Sequence, residues 1–189
     1  MRTVSPEEAA DTLRAGGIAL IPTETVVGLV AAESGLPRIR HTKGREADKP
    51  IALLCASAEE AFALAGGEVP RLARRLAELY WPGPLTLVLD RLGGETVGVR
   101  VPAGRAAREL LAAYGEPLFA TSANVAGEPA PRSLEDVDPR VSGAVDVAVE
   151  GEPGSGEASA VVDLSGGGIK LLRPASGLDG QTLTMLAGS

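Results

Sequence analysis

The chain has few of the residues that usually announce a chemistry. One cysteine, Cys55, stands among 189 residues, which excludes an intrachain disulfide and a zinc site built on cysteines. It lies inside an apolar run and reads as a small buried hydrophobe. The only histidine, His41, falls among basic residues and in no triad context, so it is not read as a catalytic base. Aromatic residues make up 3% of the chain. The core must therefore be Leu, Val, Ala and Ile, and a base-stacking surface for RNA is poorly supplied. There is no GxxxxGK[ST] loop and no GxGxxG turn, so neither P-loop nor Rossmann nucleotide binding is supported. No nucleophile elbow is found, which leaves a covalent protein nucleophile without support. No apolar segment near the N-terminus reaches the length of a signal core or a membrane span. The expectation is a soluble, cytoplasmic protein with no membrane partner.

What remains is a globular composition, 44% hydrophobic and 23% charged, with a formal charge of −7. The charge is uneven. Between Arg38 and Lys49 there are five Lys or Arg against two acids, whereas Ser133 to Asp163 holds eight acids and only Arg140. An acidic body with a local basic patch suits a pocket for a small anion, such as a nucleotide, better than a long phosphate track.

Helices and strands interleave irregularly along the chain. Ser5-Pro6-Glu7-Glu8 is a helix start that should run to about Ala15. Strands are expected at 18–21, 51–55, 85–89, 97–101, 118–121 and 145–149, with a hairpin at 160–164 and 169–172. Further helices fit 58–65, 70–80, 105–114 and the tail after Gly177, with a short one near 134–137. In the helix at 70–80, Leu72, Leu76 and Leu79 form the apolar stripe. Residues 30–42 are ambiguous, with Gly35 and Pro37 arguing for a loop before any helix resumes. Trp81-Pro82-Gly83-Pro84 is a rigid turn that drops Trp81 into the core. No repeat or linker divides the chain, so residues 1–189 are expected to form one domain with its core at about 3–175. The pattern argues for α/β architecture with a mixed parallel and antiparallel sheet and flanking helices.

The most informative stretch runs from Ile18 to Leu54. An apolar run ends at Pro22, followed by Thr23-Glu24-Thr25 and Gly28; then come Lys43, Arg45 and Lys49, and a second apolar run from Ile51. Hydroxyls at the exit of one strand and cations at the entry of another would make a polyanion pocket, since ligands sit at strand ends in open α/β sheets. Spacing alone fits ordinary strand-end residues and a solvated basic face better.

Motifs spread over nearly the whole chain change that balance. PTETVVGL followed by KGREADKP resembles the signature of the YrdC/Sua5 family, the threonylcarbamoyl-AMP synthases. WPGPLTLVL at 81–89, TVGVRVP at 96–102, TSANVAG at 121–127, and SAVVDLS with LLRP at 159–174 follow in the family's order. The resemblance implies a YrdC-like twisted sheet bent around a large open cavity, here in a short TsaC-type chain without the additional C-terminal domain of Sua5 proteins. It also implies a nucleotidyltransferase reaction. L-threonine and bicarbonate form a carbamate that attacks the α-phosphorus of ATP, giving threonylcarbamoyl-AMP and pyrophosphate for the t6A modification of tRNA. The expected partners are ATP with Mg²⁺, L-threonine, bicarbonate, and a threonylcarbamoyl transferase complex that takes the product to tRNA. The alternatives are a non-catalytic module of the same fold with weak RNA binding, as in ribosome maturation, or a nucleotide-binding paralogue with another acceptor.

Carried over residue by residue, the resemblance assigns Thr23, Thr25, Arg100, Ser122 and Ser159 to threonine, with Arg100 as a bidentate clamp for its carboxylate. It assigns Lys43, Arg45, Lys49, Thr96, Asn124, Arg132 and Arg173 to the nucleotide and its phosphates. It implies no catalytic nucleophile and no metal-ligating side chain. The chain departs from the family pattern at several points. Val27 replaces a tyrosine and so removes an aromatic ring and a hydroxyl, Glu46 replaces a proline, and Leu54 and Ala160 stand where a histidine and a threonine occur. The segment from Leu29 to Lys43 is also shorter.

Overall fold

A computed structural model describes residues 1–44 and 51–188. Its ten strands are β1 (Arg2–Val4), β2 (Ile18–Pro22), β3 (Val27–Ala31), β4 (Ala52–Leu54), β5 (Leu85–Asp90), β6 (Thr96–Arg100), β7 (Leu118–Ser122), β8 (Val147–Val149), β9 (Ala160–Asp163) and β10 (Lys170–Arg173). The helices are α1 (Pro6–Arg14), α2 (Leu36–Lys43), α3 (Ala58–Ala63), α4 (Arg71–Tyr80), α5 (Arg105–Tyr114), α6 (Pro139–Ser142) and α7 (Gly180–Ala187).

All ten strands join one mixed sheet in the order β1-β8-β2-β3-β7-β4-β6-β5-β9-β10. Pairs β1/β8, β2/β8, β4/β6 and β5/β9 are parallel, and the remaining pairs are antiparallel. Successive side chains of a strand point to opposite faces, and β2 buries both. Ala19 and Ile21 pack with Leu13 of α1 and Leu110 of α5. Ile18 and Leu20 pack on the other face with Ile39 of α2 and Val141 of α6. A third apolar cluster joins β5, β6 and β9 to α3, α4 and α7 through Leu85, Leu87, Val99, Val162, Ala61, Leu76 and Leu183. This layering is the expected α/β sheet with flanking helices.

Several local expectations change. Residues 30–42 are not a loop: β3 occupies Val27–Ala31 and α2 starts at Leu36. Pro37 sits in the first turn of α2, where its missing N–H costs nothing. Gly35 serves close packing, because a Cβ there would come within 2.8 Å of the Ala31 side chain and 2.9 Å of the Gly17 carbonyl. In α4 the buried face runs through Ala73, Leu76 and Ala77, and Leu79 is 58% exposed rather than part of the stripe. Trp81 is half-buried, with its ring centroid 5.7 Å from that of Phe62 and its indole N–H donating to the Leu85 carbonyl at 2.7 Å. Among the described residues no helix is long and apolar enough to cross a membrane.

Candidate functional site

The sheet face over β3 to β9 carries unusually small side chains, and this makes a cavity of about 290 Å³. Cross-strand register aligns the pairs Gly28 with Ser122, Ala52 with Ala120, Leu54 with Arg100, Val88 with Gly98 and Thr86 with Val161. Every one of these residues lines the cavity. Glycine and alanine in that layer leave the volume that larger side chains would fill. A wider cleft of about 620 Å³ lies between α3, α4 and Trp81, and none of the residues assigned from the sequence lines it.

Six of the assigned residues line the sheet cavity: Thr23, Thr96, Arg100, Ser122, Ser159 and Arg173. The turn between β2 and β3 supplies Thr23. Its hydroxyl donates to the Val26 carbonyl at 2.7 Å and accepts from the Thr25 and Val26 N–H groups at 3.2 Å. That is a side-chain-stabilised turn, consistent with a threonine just past a strand-ending proline. Thr25 is buried behind it, with the two hydroxyls 2.8 Å apart.

Arg100, only 8% exposed, ends β6 and is held on one edge. Its Nε donates to the Gly83 carbonyl at 3.2 Å, and its Nη2 donates to Glu24 Oε1 at 2.6 Å and to Thr25 Oγ1 at 2.9 Å. Burial opposes the charged form of Glu24. The Arg100 guanidinium, followed by the Gly104 N–H donating to Oε2 at 2.8 Å, outweighs it and holds the carboxyl below its ordinary range.

Arg173 stands on the exposed rim. It donates from Nε to the Ser159 carbonyl at 2.7 Å and from Nη2 to Ser159 Oγ at 3.2 Å. Ser159 Oγ also lies 3.0 Å from Thr86 Oγ1. Partial burial and then the positive charge of Arg100 push the Arg173 guanidinium pKa down. A guanidinium disfavoured by a second cation on the same cavity forms a site that an anion relieves.

Lys43, the last residue of α2, is 3% exposed. Its Nζ donates to the Ser122 carbonyl at 2.6 Å and to Asn124 Oδ1 at 2.9 Å, with Ser122 Oγ at 3.5 Å. Asn124 is oriented by its own amide, which donates to the Val125 and Glu128 carbonyls. Arg132 is exposed and does not line the cavity; its Nε donates to the Gly154 carbonyl at 3.2 Å. Arg45 and Lys49 lie outside the described residues.

A glycine-rich strap, residues 151–157, closes over the Thr-Glu-Thr turn. The N–H groups of Ser155 and Gly156 donate to the carbonyls of Glu24 at 3.0 Å and Thr25 at 2.8 Å. The Glu157 carboxylate takes the N–H and hydroxyl of Ser176, tying the strap to the segment after β10.

Two residues of the site drew no role from the sequence. Thr86 lies within WPGPLTLVL, and Thr86 and Val88 share one face only once β5 is assigned. Glu24 stands between two threonines in the sequence, but its partners are 76 and 80 positions away. Val27 does not line the cavity. It is fully buried in the core beyond the opposite face, so the missing tyrosine ring is not a wall of this cavity. Among the described residues no group of three or more His, Cys, Asp or Glu is placed to hold a metal ion.

The Sua5/YciO/YrdC family, described as telomere recombination, matches residues 11–175. A threonylcarbamoyl-AMP synthase of Pyrococcus abyssi is 40% identical over 179 residues, covering 88% of this chain and 52% of that protein. A threonylcarbamoyl-AMP synthase of Stenotrophomonas maltophilia is 35% identical over 167 residues, covering 82% of this chain and 90% of that protein. The crystal structure of P. abyssi Sua5 complexed with L-threonine superposes with a TM-score of 0.87 at 35% identity, over 97% of this chain and 57% of that one. The chain thus spans about half the length of the Pyrococcus relative and most of the length of the Stenotrophomonas one.

Proposed function

The chain belongs to the Sua5/YciO/YrdC family, and on that premise we propose that it binds L-threonine and ATP in the sheet cavity and makes threonylcarbamoyl-AMP. The observation that carries the reading is the convergence of Thr23, Thr96, Arg100, Ser122, Ser159 and Arg173, drawn from separate motifs, on one cavity. The relative solved with L-threonine bound supports the choice of amino acid.

In this reading the threonine amine and bicarbonate condense with loss of water to a carbamate. A carbamate oxygen attacks the α-phosphorus of ATP, and the bond to the pyrophosphate breaks. The nucleophile is assembled from substrates, so the protein's work is positioning and electrostatic stabilisation. Arg100 receives the threonine carboxylate, and the Ser159 and Thr86 hydroxyls stand beside it. Lys43, Asn124 and Arg173 face the nucleotide, with Arg45, Lys49 and Arg132 as further phosphate contacts.

Glu24 is committed to Arg100 and Gly104, and among the described residues no carboxylate lines the cavity. Mg²⁺ would be held there mainly by the ATP phosphates and water, as is usual for this ion with nucleotides. The chemistry it would supply is neutralisation of the charge on the departing pyrophosphate. The product passes to a threonylcarbamoyl transferase complex that acts on tRNA.

Calorimetric titration of the purified chain with L-threonine tests the binding half of this reading. L-Threonine is expected to bind in the micromolar to millimolar range usual for substrates, and more tightly than glycine or L-valine. Equal binding of all three, or none, would contradict it.

A further inference from the structure

We propose that Glu24 is the positioning residue of the cavity: it fixes the Arg100 guanidinium by one edge and so presents Nη1 to the bound anion. The Glu24 carboxylate spans two elements. Oε1 accepts from Arg100 Nη2 at 2.6 Å, and Oε2 accepts from the Gly104 N–H at 2.8 Å, at the start of α5. Gly104 is the N-cap of α5, so the carboxylate lies at the positive end of that helix. The backbone of Glu24 is fixed as well, because the Ser155 N–H of the strap donates to its carbonyl at 3.0 Å. Gly104 also allows the close approach: a Cβ there would lie 2.9 Å from the Glu24 nitrogen.

The consequence for Arg100 follows from guanidinium geometry. Nε and Nη2 form one edge of the plane, and both are committed, to the Gly83 carbonyl and to Glu24 with Thr25. Nη1 has no hydrogen-bond partner among the described residues, and Arg100 lines the cavity. A carboxylate ligand therefore meets Nη1 of a guanidinium whose plane is already set, and not the two-nitrogen fork that a bidentate clamp needs, because Nε and Nη2 are already committed. Arginine carries a flexible stem and loses rotamer freedom when it binds; here that loss is met before the ligand arrives. Glu24 touches no substrate and acts through Arg100.

This rests on the reading of Arg100 as the ligand of the threonine carboxylate, and the test separates the two. The first measurement is the side-chain NMR spectrum of ¹⁵N-arginine-labelled protein, with the Arg100 signals assigned by their loss in Arg100→Lys. In the wild type, hindered rotation should keep the Arg100 Nη signals resolved, and in Glu24→Gln they should collapse to an average. The second is calorimetry. Glu24→Gln should weaken L-threonine binding by about tenfold or more, the scale of a charge-assisted contact, and change the affinity for a non-hydrolysable ATP analogue by less than about threefold. In the Arg100→Lys background the same substitution should add no further loss. Glu24→Asp keeps the charge but is too short to span both partners. It should fall between wild type and Gln, and it carries the test if the Gln variant does not fold. Unchanged Arg100 signals in Glu24→Gln, or equal losses for threonine and nucleotide, would overturn the proposal. Collapsed signals in a protein whose wild type binds no threonine would uphold Glu24 as the pin of Arg100 and overturn the threonine reading instead.

Discussion

Lys43 Nζ lies 2.9 Å from Asn124 Oδ1, joining the end of α2 to the turn after β7 across 81 positions of sequence. The pair links the basic end of the KGR segment to the Ser-Ala-Asn segment, two motifs with different chemistry. Lys43→Ala removes a nearly buried cation and leaves the Ser122 carbonyl and Asn124 Oδ1 without that donor. Binding of a non-hydrolysable ATP analogue is expected to weaken by about 1–3 kcal/mol, with a smaller change for L-threonine. Calorimetry on both ligands checks it, and unchanged nucleotide affinity would move the phosphate site elsewhere.

That pairing marks the limit of what the sequence discloses. Helix α5 is legible from composition alone, since its apolar stripe ends at Gly115, whose φ of +85° is the left-handed conformation a terminating glycine supplies. The hairpin of β9 and β10 is equally plain from its alternation and its glycines. Strand β3 is not, because its first residues follow the Thr-Glu-Thr turn and its apolar run carries no period that separates strand from loop. Its partners, β2 and β7, fix it as a strand only in three dimensions. The two strands read as flanking an anion pocket, β2 and β4, are separated in the sheet by β3 and β7. The cavity forms instead because glycine and alanine fall on one face in register, and register is a tertiary property. Motif resemblance supplied the long-range grouping that local patterns cannot.

Filling the small-residue layer should empty the site without unfolding the protein. Ala52 is half-buried, lines the cavity, and faces Ala120 on β7. Ala52→Leu extends side-chain volume into open space rather than into packed core, so its stability cost should stay below about 1.5 kcal/mol. Ligand affinity should drop by about tenfold or more for both L-threonine and nucleotide. Thermal melting and calorimetry on the same sample check the two halves.

The strap makes its own prediction. A Cβ on Gly154 would lie 2.3 Å from the Thr25 carbonyl oxygen, a contact only backbone movement relieves. Gly154→Ala is expected to destabilise by about 1–3 kcal/mol and to loosen threonine binding through the Thr-Glu-Thr turn. Gly180→Ala, in the first turn of α7 with nothing within 4 Å of its Cβ, is the control. It should leave stability unchanged or raise it by about 0.4–1 kcal/mol. Denaturant melts distinguish them.

Cys55 should be chemically silent and should impose an alkaline limit. Burial, with Glu60 adding to it, pushes its thiol from 9.0 up to about 12, against a smaller opposing effect of the backbone hydrogen bond to Arg100. The unfolded chain loses this proton first, so the stabilisation is complete below pH 9 and is lost as pH rises toward 12. Stability should fall by up to about 1.4 kcal/mol per pH unit in that window from this group. Cys55→Ala should flatten that part of the slope, and a thiol reagent should leave the native protein unlabelled at neutral pH.

The most direct test of the whole account is pyrophosphate release. Purified protein with ATP and Mg²⁺ should liberate pyrophosphate only when L-threonine and bicarbonate are both present, because in the proposed reaction the carbamate they form is the nucleophile. Release that needs only one of the two, or none with any amino acid supplied alongside bicarbonate, would contradict it.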